Sequence, residues 1–504
     1  MFKKTLIDQF HYICDTHADA IALQSYSEKM SYSDLRGRVL GASGILRRYG
    51  VRPGDRVVIV MDNSIDYVVF FYAIWEIGAV VVPVNSQAKI YEIKKIINQS
   101  QAKVLLIDKL DEESKRSIKE SGVGVLALDE VSVTTMDNNQ NEIPVDDDRF
   151  HVDESTLAQI IYTSGTTGSP KGVLLSHGNL MVNTGDIVKY LKLTNKDSIL
   201  NILPLHYSYG NSILHTHLCV GAKVIFAGSM AFPQQVTNDI RKYGASGFSG
   251  VPSTFSLLLT HSDWVSNPPS LRYITQAGGP MSRTLTNQLL KAINPRTCLY
   301  IMYGQTEASA RISWLPPELL ISKTGSVGIA LEHVTVEIRD EKGNSLPENT
   351  AGELYVSGKS IMQGYWNNPQ ATQKVLNNGW LKTGDLGYLD SDGYIYLKGR
   401  NSDMIKVGAH RIHPLELEEV INMLDFISEC AVTGIDDEML GQKLQAYVVG
   451  DESKANLFAL KKHCNEYLPA YKIPAKIKWV EQLPKTASGK IKRYQLNSQL
   501  EIMK

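Results

Sequence analysis

The sequence predicts an α/β fold. A large N-terminal body of two layered α/β subdomains and a β-rich, barrel-like subdomain is followed by a small α+β domain. Three observations lead there. Apolar runs of strand length alternate with helical stretches early in the chain, the pattern of βαβ units around a parallel sheet. After Ala351 the pattern changes to short alternating strands between glycine and aspartate turns, which mark a β-rich unit. The 504 residues also exceed what a single core serves, since domains usually run to about 100–200 residues.

Residues 56–61 (RVVIVM) form an unbroken apolar run, as a buried parallel strand requires. Asn63 or Ser64 can cap the helix that follows. That helix places Tyr67, Phe70, Phe71, Ile74 and Ile77 at helical spacing and stops at Gly78. Residues 79–84 (AVVVPV) read as the next strand, and Ile90, Ile93 and Ile97 share one face of a second helix before a strand at 103–107. Residues 130–154 turn polar and acidic and read as a solvated connection. GELYVSG, GWLKTGDLGYLD and GYIYLKGR supply the β-rich unit, which closes the body at about Arg400. Beyond it, residues 414–424 form an amphipathic helix, ECAVTGI and LQAYVVG are strands, and residues 457–467 form a last helix.

Composition narrows the function classes. A formal net charge of −1 sets up no global field for nucleic acid or an anionic membrane. The five cysteines, Cys14, Cys219, Cys298, Cys430 and Cys464, contain no Cys-x-x-Cys pair, so neither a disulfide framework nor a zinc site is expected. The apolar stretch at 73–84 contains Glu76 and is shorter than the roughly 20 residues of a membrane span. The first twenty residues lack the apolar core of a signal peptide. A cytoplasmic protein without a membrane span is expected.

Chemistry concentrates in residues 160–177, IIYTSGTTGSPKGVLLSH. An apolar strand leads into Thr163, Ser164, Gly165, Thr166, Thr167 and Gly168, then Pro170, Lys171 and Gly172. Glycines let successive backbone N–H groups curl toward one anion, and the hydroxyls and lysine add donors and charge. Composition alone leaves a phosphate cradle and a plain turn both open. A Walker loop is ruled out, because Pro170 intervenes before Lys171 and no Ser or Thr follows it.

On this stretch the chain resembles the AMP-forming synthetase and ligase superfamily, which includes acyl-CoA synthetases, luciferases and peptide-synthetase adenylation domains. Further motifs support the resemblance. Tyr303-Gly304-Gln305-Thr306-Glu307 is similar to the family's Y-G-x-T-E, and Thr383-Gly384-Asp385 to its ribose-binding T-G-D. Lys398-Gly399-Arg400 is similar to the opening of its hinge motif, and residues 484–490 (PKTASGK) to its C-terminal catalytic loop. The resemblance implies an adenylation domain at 1–400 that binds ATP and acid. It also implies a mobile domain at 401–504 that carries the catalytic lysine. The implied reaction is ATP-dependent activation of a carboxylic acid to acyl-AMP and pyrophosphate, then transfer to a thiol. Coenzyme A is the expected acceptor; the phosphopantetheine of an acyl-carrier protein, or an amine, is the alternative.

Roles follow residue by residue from that resemblance. The Thr163–Lys171 loop would hold the leaving pyrophosphate. Glu307 would anchor Mg²⁺, a hard cation that prefers oxygen ligands, and Thr306 would donate to the α-phosphate. Asp385 and Arg400 would take the ribose. Tyr303 would stack on adenine beside the segment Ala277, Gly278, Gly279 and Pro280, where many relatives have Ala in place of Pro280. Lys490 would meet the reacting carboxylate and the bridging oxygen, stabilising the transition state above the ground state. The hinge falls on Ser402, where relatives usually carry Asp or Lys, and a pivot shifted to Asp403 stays open. After rotation, the loop containing Gly408 would line the pantetheine tunnel.

Residues 204–210, PLHYSYG, resemble the family's P-L-F-H-x-x-G with the aromatic and histidine exchanged. His206, Tyr207 and Tyr209 either line the acid site or pack in the core. Amino-acid-activating relatives place an Asp here, and none occurs in this stretch. A buried unpaired ammonium costs several kcal/mol, so the expected substrate is a neutral-bodied acyl or aryl acid. His215 and His217 stand two residues apart, the wrong spacing for a metal pair on one helical face.

Overall fold

Arg56–Val60 is an interior strand of a parallel sheet, as its apolar run requires. The computed structural model describes residues 2–120, 122–128, 150–163, 170–264, 270–400, 403–407, 410–437, 441–451, 457–486, 489 and 491–499. Val57 and Ile59 point into one apolar cluster, Val58 and Val60 into another, the alternation of a strand covered on both faces. Ser64 caps the helix Ile65–Ile77 by accepting a bond from Tyr67 N, and Gly78 ends it with φ 79°. Residues on every face of that helix are buried, so it lies inside the molecule rather than on it.

Four sheets organise the described residues. The first runs Gly364–Tyr365, Lys171–Ser176, Leu157–Thr163, Val80–Val84, Arg56–Val60, Val104–Ile107 and Gly124–Ala127. Its last five strands are mutually parallel. The second runs Ile329–Ala330, Ser313–Leu315, Cys298–Tyr303, Tyr273–Gln276, Gly247–Gly250, Ser198–Leu200, Lys223–Ile225, Ile21–Gln24 and Lys29–Ser31. It is parallel from Cys298–Tyr303 through Ile21–Gln24. Helices Leu6–Thr16, Tyr32–Arg48, Ile65–Ile77, His177–Leu191 and Ser208–Leu218 contribute to one core with the facing sides of both sheets. The outer faces are covered separately, so the expected layering into two α/β units is present.

The β-rich unit is an open antiparallel sheet of Val334–Arg339, Gly352–Gly358, Trp380–Leu389, Leu376–Asn377 and Ile395–Arg400. It is not a closed barrel, and the barrel-like expectation is corrected here. The long strand Trp380–Leu389 takes partners on both edges, while Val334–Arg339 pairs only with Gly352–Gly358 among the described strands. A fourth sheet, His410–Ile412, Ile405–Val407, Gly441–Gly450, Ile427–Asp437 and Lys476–Trp479, packs with helices Pro414–Ile421 and Leu457–Tyr467 around its own core. Among the described residues no helix is long and apolar enough to cross a membrane.

Candidate active site at the strand ends

Gly247–Gly250, Tyr273–Gln276 and Cys298–Tyr303 are parallel neighbours, and Gly278, Gly279, Pro280, Tyr303, Thr306 and Glu307 lie at and just past the carboxyl ends of the last two. Open α/β sheets bind ligands there. Beyond Tyr303 the chain doubles back at once. A Cβ on Gly304 would stand 1.9 Å from the Ala310 carbonyl oxygen, so only glycine allows this approach. The turn Thr306–Ala308 follows, and Met362 N donates to the Glu307 carbonyl at 2.9 Å, which fixes the turn against the β-rich unit.

Asp385 is the most heavily held predicted residue. Antiparallel pairing sets Asp385 opposite Arg400, and Arg400 Nε donates to Asp385 Oδ1 at 3.1 Å. From the other side, Tyr303 Oη donates to Oδ2 at 2.5 Å. The backbone N–H of Asp385 is held by Thr383 Oγ1 at 3.1 Å. Asp385 pushes the Arg400 guanidinium up. Burial, and then Asp385, push the Tyr303 phenol well above its usual range, so it stays a donor. A carboxylate has about four acceptor positions, which leaves room for the two hydroxyls of a ribose.

Glu307 and Lys171 meet through a residue the motifs did not single out. Tyr365 Oη donates to Glu307 Oε1 at 2.8 Å, and the Lys171 ammonium lies 5.2 Å from the Tyr365 ring centre. Lys171 is paired in register with Thr163 across the Leu157–Thr163/Lys171–Ser176 hairpin. Tyr365 pairs with Val173 on the same hairpin. The second Glu307 oxygen has no hydrogen-bond partner among the described residues. One anchored carboxylate with an open oxygen, beside a lysine, suits Mg²⁺ carried on a polyphosphate. Thr306 Oγ1 stands 3.3 Å from Ser208 Oγ, which joins the stretch expected to border the acid to the one expected to face the phosphates.

Gly278 (φ 85°) and Gly279 leave the Tyr273–Gln276 strand. Gln276 Nε2 donates to the Gly279 carbonyl at 2.8 Å, and exposed Pro280 follows. In the stretch expected to border the acid, Tyr209 Oη donates to the Thr275 carbonyl at 3.0 Å. His206 packs on Tyr207 with ring centres 4.2 Å apart. Its Nε2 is buried without a partner among the described residues, and burial lowers the ring to about 4. His206 is therefore neutral at physiological pH. His215 and His217 are no pair: His215 bonds Tyr72 and Asn211, and His217 bonds Tyr273 and the Ile213 carbonyl. All five cysteines are free.

Ser164, Gly165, Thr166, Thr167 and Gly168 of the phosphate loop, the hinge residue Ser402, Gly408 and Lys490 lie outside the described residues. The neighbour of Lys490 is placed. Gly489 has φ 79°, and a Cβ on it would stand 2.8 Å from Val251 Cγ2 and 3.3 Å from Ser253 Oγ. That seats the turn against the end of the Gly247–Gly250 strand. Thr284 Oγ1 also donates to the Asn422 carbonyl at 3.0 Å. Residues that sequence reasoning missed are Ser208, Arg311 and Tyr365. Arg311 had a usable signal, a lone cation among the small and apolar residues 308–312. Tyr365 had none, because its partner Glu307 is 58 residues away.

Comparison with known proteins shows the family and the fold. A family model described as AMP-binding enzyme matches residues 10–366, and one described as AMP-binding enzyme C-terminal domain matches residues 416–490. The chain is 31% identical to a 2-succinylbenzoate–CoA ligase of Bacillus cereus (strain Q1), over 96% of this chain and 97% of the relative. The solved o-succinylbenzoate CoA synthetase of Bacillus subtilis with its acyl-adenylate intermediate OSB-AMP superposes with a TM-score of 0.85 at 29% identity. The match covers 97% of each chain. The same enzyme with ATP and magnesium ion gives a TM-score of 0.85 at 29% identity, covering 97% of this chain and 99% of that one.

Proposed function

Because the chain belongs to the AMP-binding enzyme family and is an AMP-forming acid–CoA ligase, we propose that its residues divide two successive reactions between them. In the first, a carboxylate oxygen attacks the α-phosphorus of ATP. The bond from that phosphorus to the bridging oxygen breaks, and pyrophosphate leaves. In the second, the coenzyme A thiolate attacks the acyl carbon, and AMP leaves with the electron pair. The carrier-protein and amine acceptors that the sequence left open find no support among these relatives.

Asp385 and Arg400 take the ribose, Tyr303 and the Gly278–Pro280 segment take the adenine, and the loop from Thr163 to Lys171 takes the departing pyrophosphate. Glu307 holds Mg²⁺, which spreads charge off the transferring phosphoryl group when bound. Thr306, oriented by Ser208, donates to the α-phosphate, and Lys490 neutralises the meeting anions. His206, Tyr207 and Tyr209 border the acid. Residues 401–504 pivot at Ser402, so that Lys490 withdraws and the Gly408 loop enters. The seating of Gly489 against Val251 supports assigning this arrangement to the adenylation step. Free thiols throughout support a reducing cytoplasmic setting.

The observation that most supports the reading is the Asp385 carboxylate, held between Tyr303 and Arg400 at the strand end that also presents Glu307. Product nucleotide tests it. With ATP, a carboxylic acid and coenzyme A, the expected products are AMP, pyrophosphate and acyl-CoA. Formation of ADP would exclude the proposed chemistry.

A further inference from the structure

Arg311 has no part in the roles above. It is 3% exposed, yet its polar contacts are long. Nε reaches Met302 Sδ at 3.3 Å, Nη1 the Ala310 carbonyl at 3.4 Å and Nη2 Ser212 Oγ at 3.5 Å. No carboxylate pairs with it among the described residues. Several more exposed arginines are treated differently. Arg38, Arg272, Arg400 and Arg493 each have a carboxylate partner. A guanidinium stays charged and offers five donors. Burying it without a counter-charge costs several kcal/mol. The ring face of Tyr209 and three long neutral contacts offset only part of that cost.

Its position says what would offset the rest. Arg311 follows Glu307 by four residues, after a reversal in which Ser309 (φ 55°) and Ala310 (φ 98°) hold left-handed backbone. Such strain in non-glycine residues persists where surrounding structure enforces it, often at functional sites. The guanidinium carbon lies 4.2 Å from the ring centre of Tyr209, while Ser208, one residue earlier, faces Thr306. The charge therefore lies against Tyr209, one residue from the Ser208–Thr306 contact, and with the acid bordered by Tyr209 as proposed above, the reacting carboxylate belongs at the Thr306 end.

We infer that Arg311 binds a second anionic group of the substrate, remote from the carboxylate that is activated, so that the acid is a dicarboxylate. This rests on the proposed function and replaces the neutral-bodied acid expected from Tyr207 and Tyr209. Pairing with the substrate supplies the missing counter-charge only when the acid is bound, which makes the buried cation a specificity device. A site built for a polar group rejects analogues that lack it far more strongly than a hydrophobic pocket rejects a missing methylene.

The test is ATP–pyrophosphate exchange with acids matched except for one carboxylate: adipate against hexanoate, glutarate against pentanoate, and 2-succinylbenzoate against 4-oxo-4-phenylbutanoate. The wild-type enzyme should favour the diacid of at least one pair by about 100-fold or more in kcat/KM. Arg311→Met should collapse that ratio to near one or invert it, mainly by raising KM for the diacid, and Arg311→Lys should retain part of it. A wild-type preference for the monoacids would overturn the inference while leaving the proposed function standing, whether or not Arg311→Met folds. So would a diacid preference that survives Arg311→Met. Exchange with no acid of either kind would remove the proposed function, and this inference with it.

Discussion

Glu307 accepts a hydrogen bond from Tyr365, and that bond fixes where the carboxylate can offer its other oxygen. Groups that orient a metal ligand typically change metal affinity by about 10- to 100-fold when removed. Tyr365→Phe should therefore raise the Mg²⁺ concentration for half-maximal pyrophosphate exchange by about tenfold, and weaken Mg²⁺·ATP binding measured by calorimetry without acid. An unchanged Mg²⁺ requirement would reduce Tyr365 to packing. Residues whose neighbours lie close in sequence were legible: Thr306 and Glu307 announce themselves in one pentapeptide. Tyr365 and Arg311 were not, because their roles come from partners that only the fold brings near. His206 shows the remaining ambiguity. Its spacing suited an acid-site ligand, but burial keeps it neutral, so it can border the acid without offering it a charge.

At the scale of elements, the helices Ile65–Ile77, His177–Leu191 and Ser208–Leu218 meet around Trp75. Its ring lies 5.0 Å from that of His177 and 4.9 Å from that of His215. Burial lowers His177, His215 and His217, the last to about 4 and the others to about 3. The unfolded chain binds protons on them near pH 6.5, whereas the folded one refuses them. Their contribution to stability is therefore complete above pH 6.5 and is lost as pH falls toward the folded values. Each loses roughly 1.4 kcal/mol per pH unit across that window. With His206 lowered in the same way, the body should unfold by about pH 5 with uptake of about four protons by its histidines, followed by circular dichroism and potentiometry. A native signal that persists to pH 4 would contradict this. Strands buried on both faces and capped helices were legible because periodicity and capping are local. The open form of the β-rich sheet was not, since it depends on which strands Trp380–Leu389 recruits on each edge.

For the whole molecule, one body must serve two reactions, and the proposed lysine and the thiol cannot occupy the same place together. Lys490→Ala should cut adenylation by about 10²–10³-fold, the scale of losing one preorganised charge or donor, while conversion of supplied acyl-adenylate to thioester suffers far less. Gly408→Leu should show the reverse, sparing exchange and impairing thioester formation. Parallel losses in both variants, with folding intact, would remove the two-arrangement account. The proposed division rests on the order of motifs along the chain, whereas the seating of Gly489 on Val251 joins segments more than two hundred residues apart. Beneath both variants lies the claim that the acid itself attacks the α-phosphorus of ATP. Isotope transfer tests it most directly. With an acid whose activated carboxylate carries ¹⁸O, one labelled oxygen should appear in the phosphate of AMP and none in pyrophosphate. AMP without label, or label in inorganic phosphate beside ADP, would contradict the account.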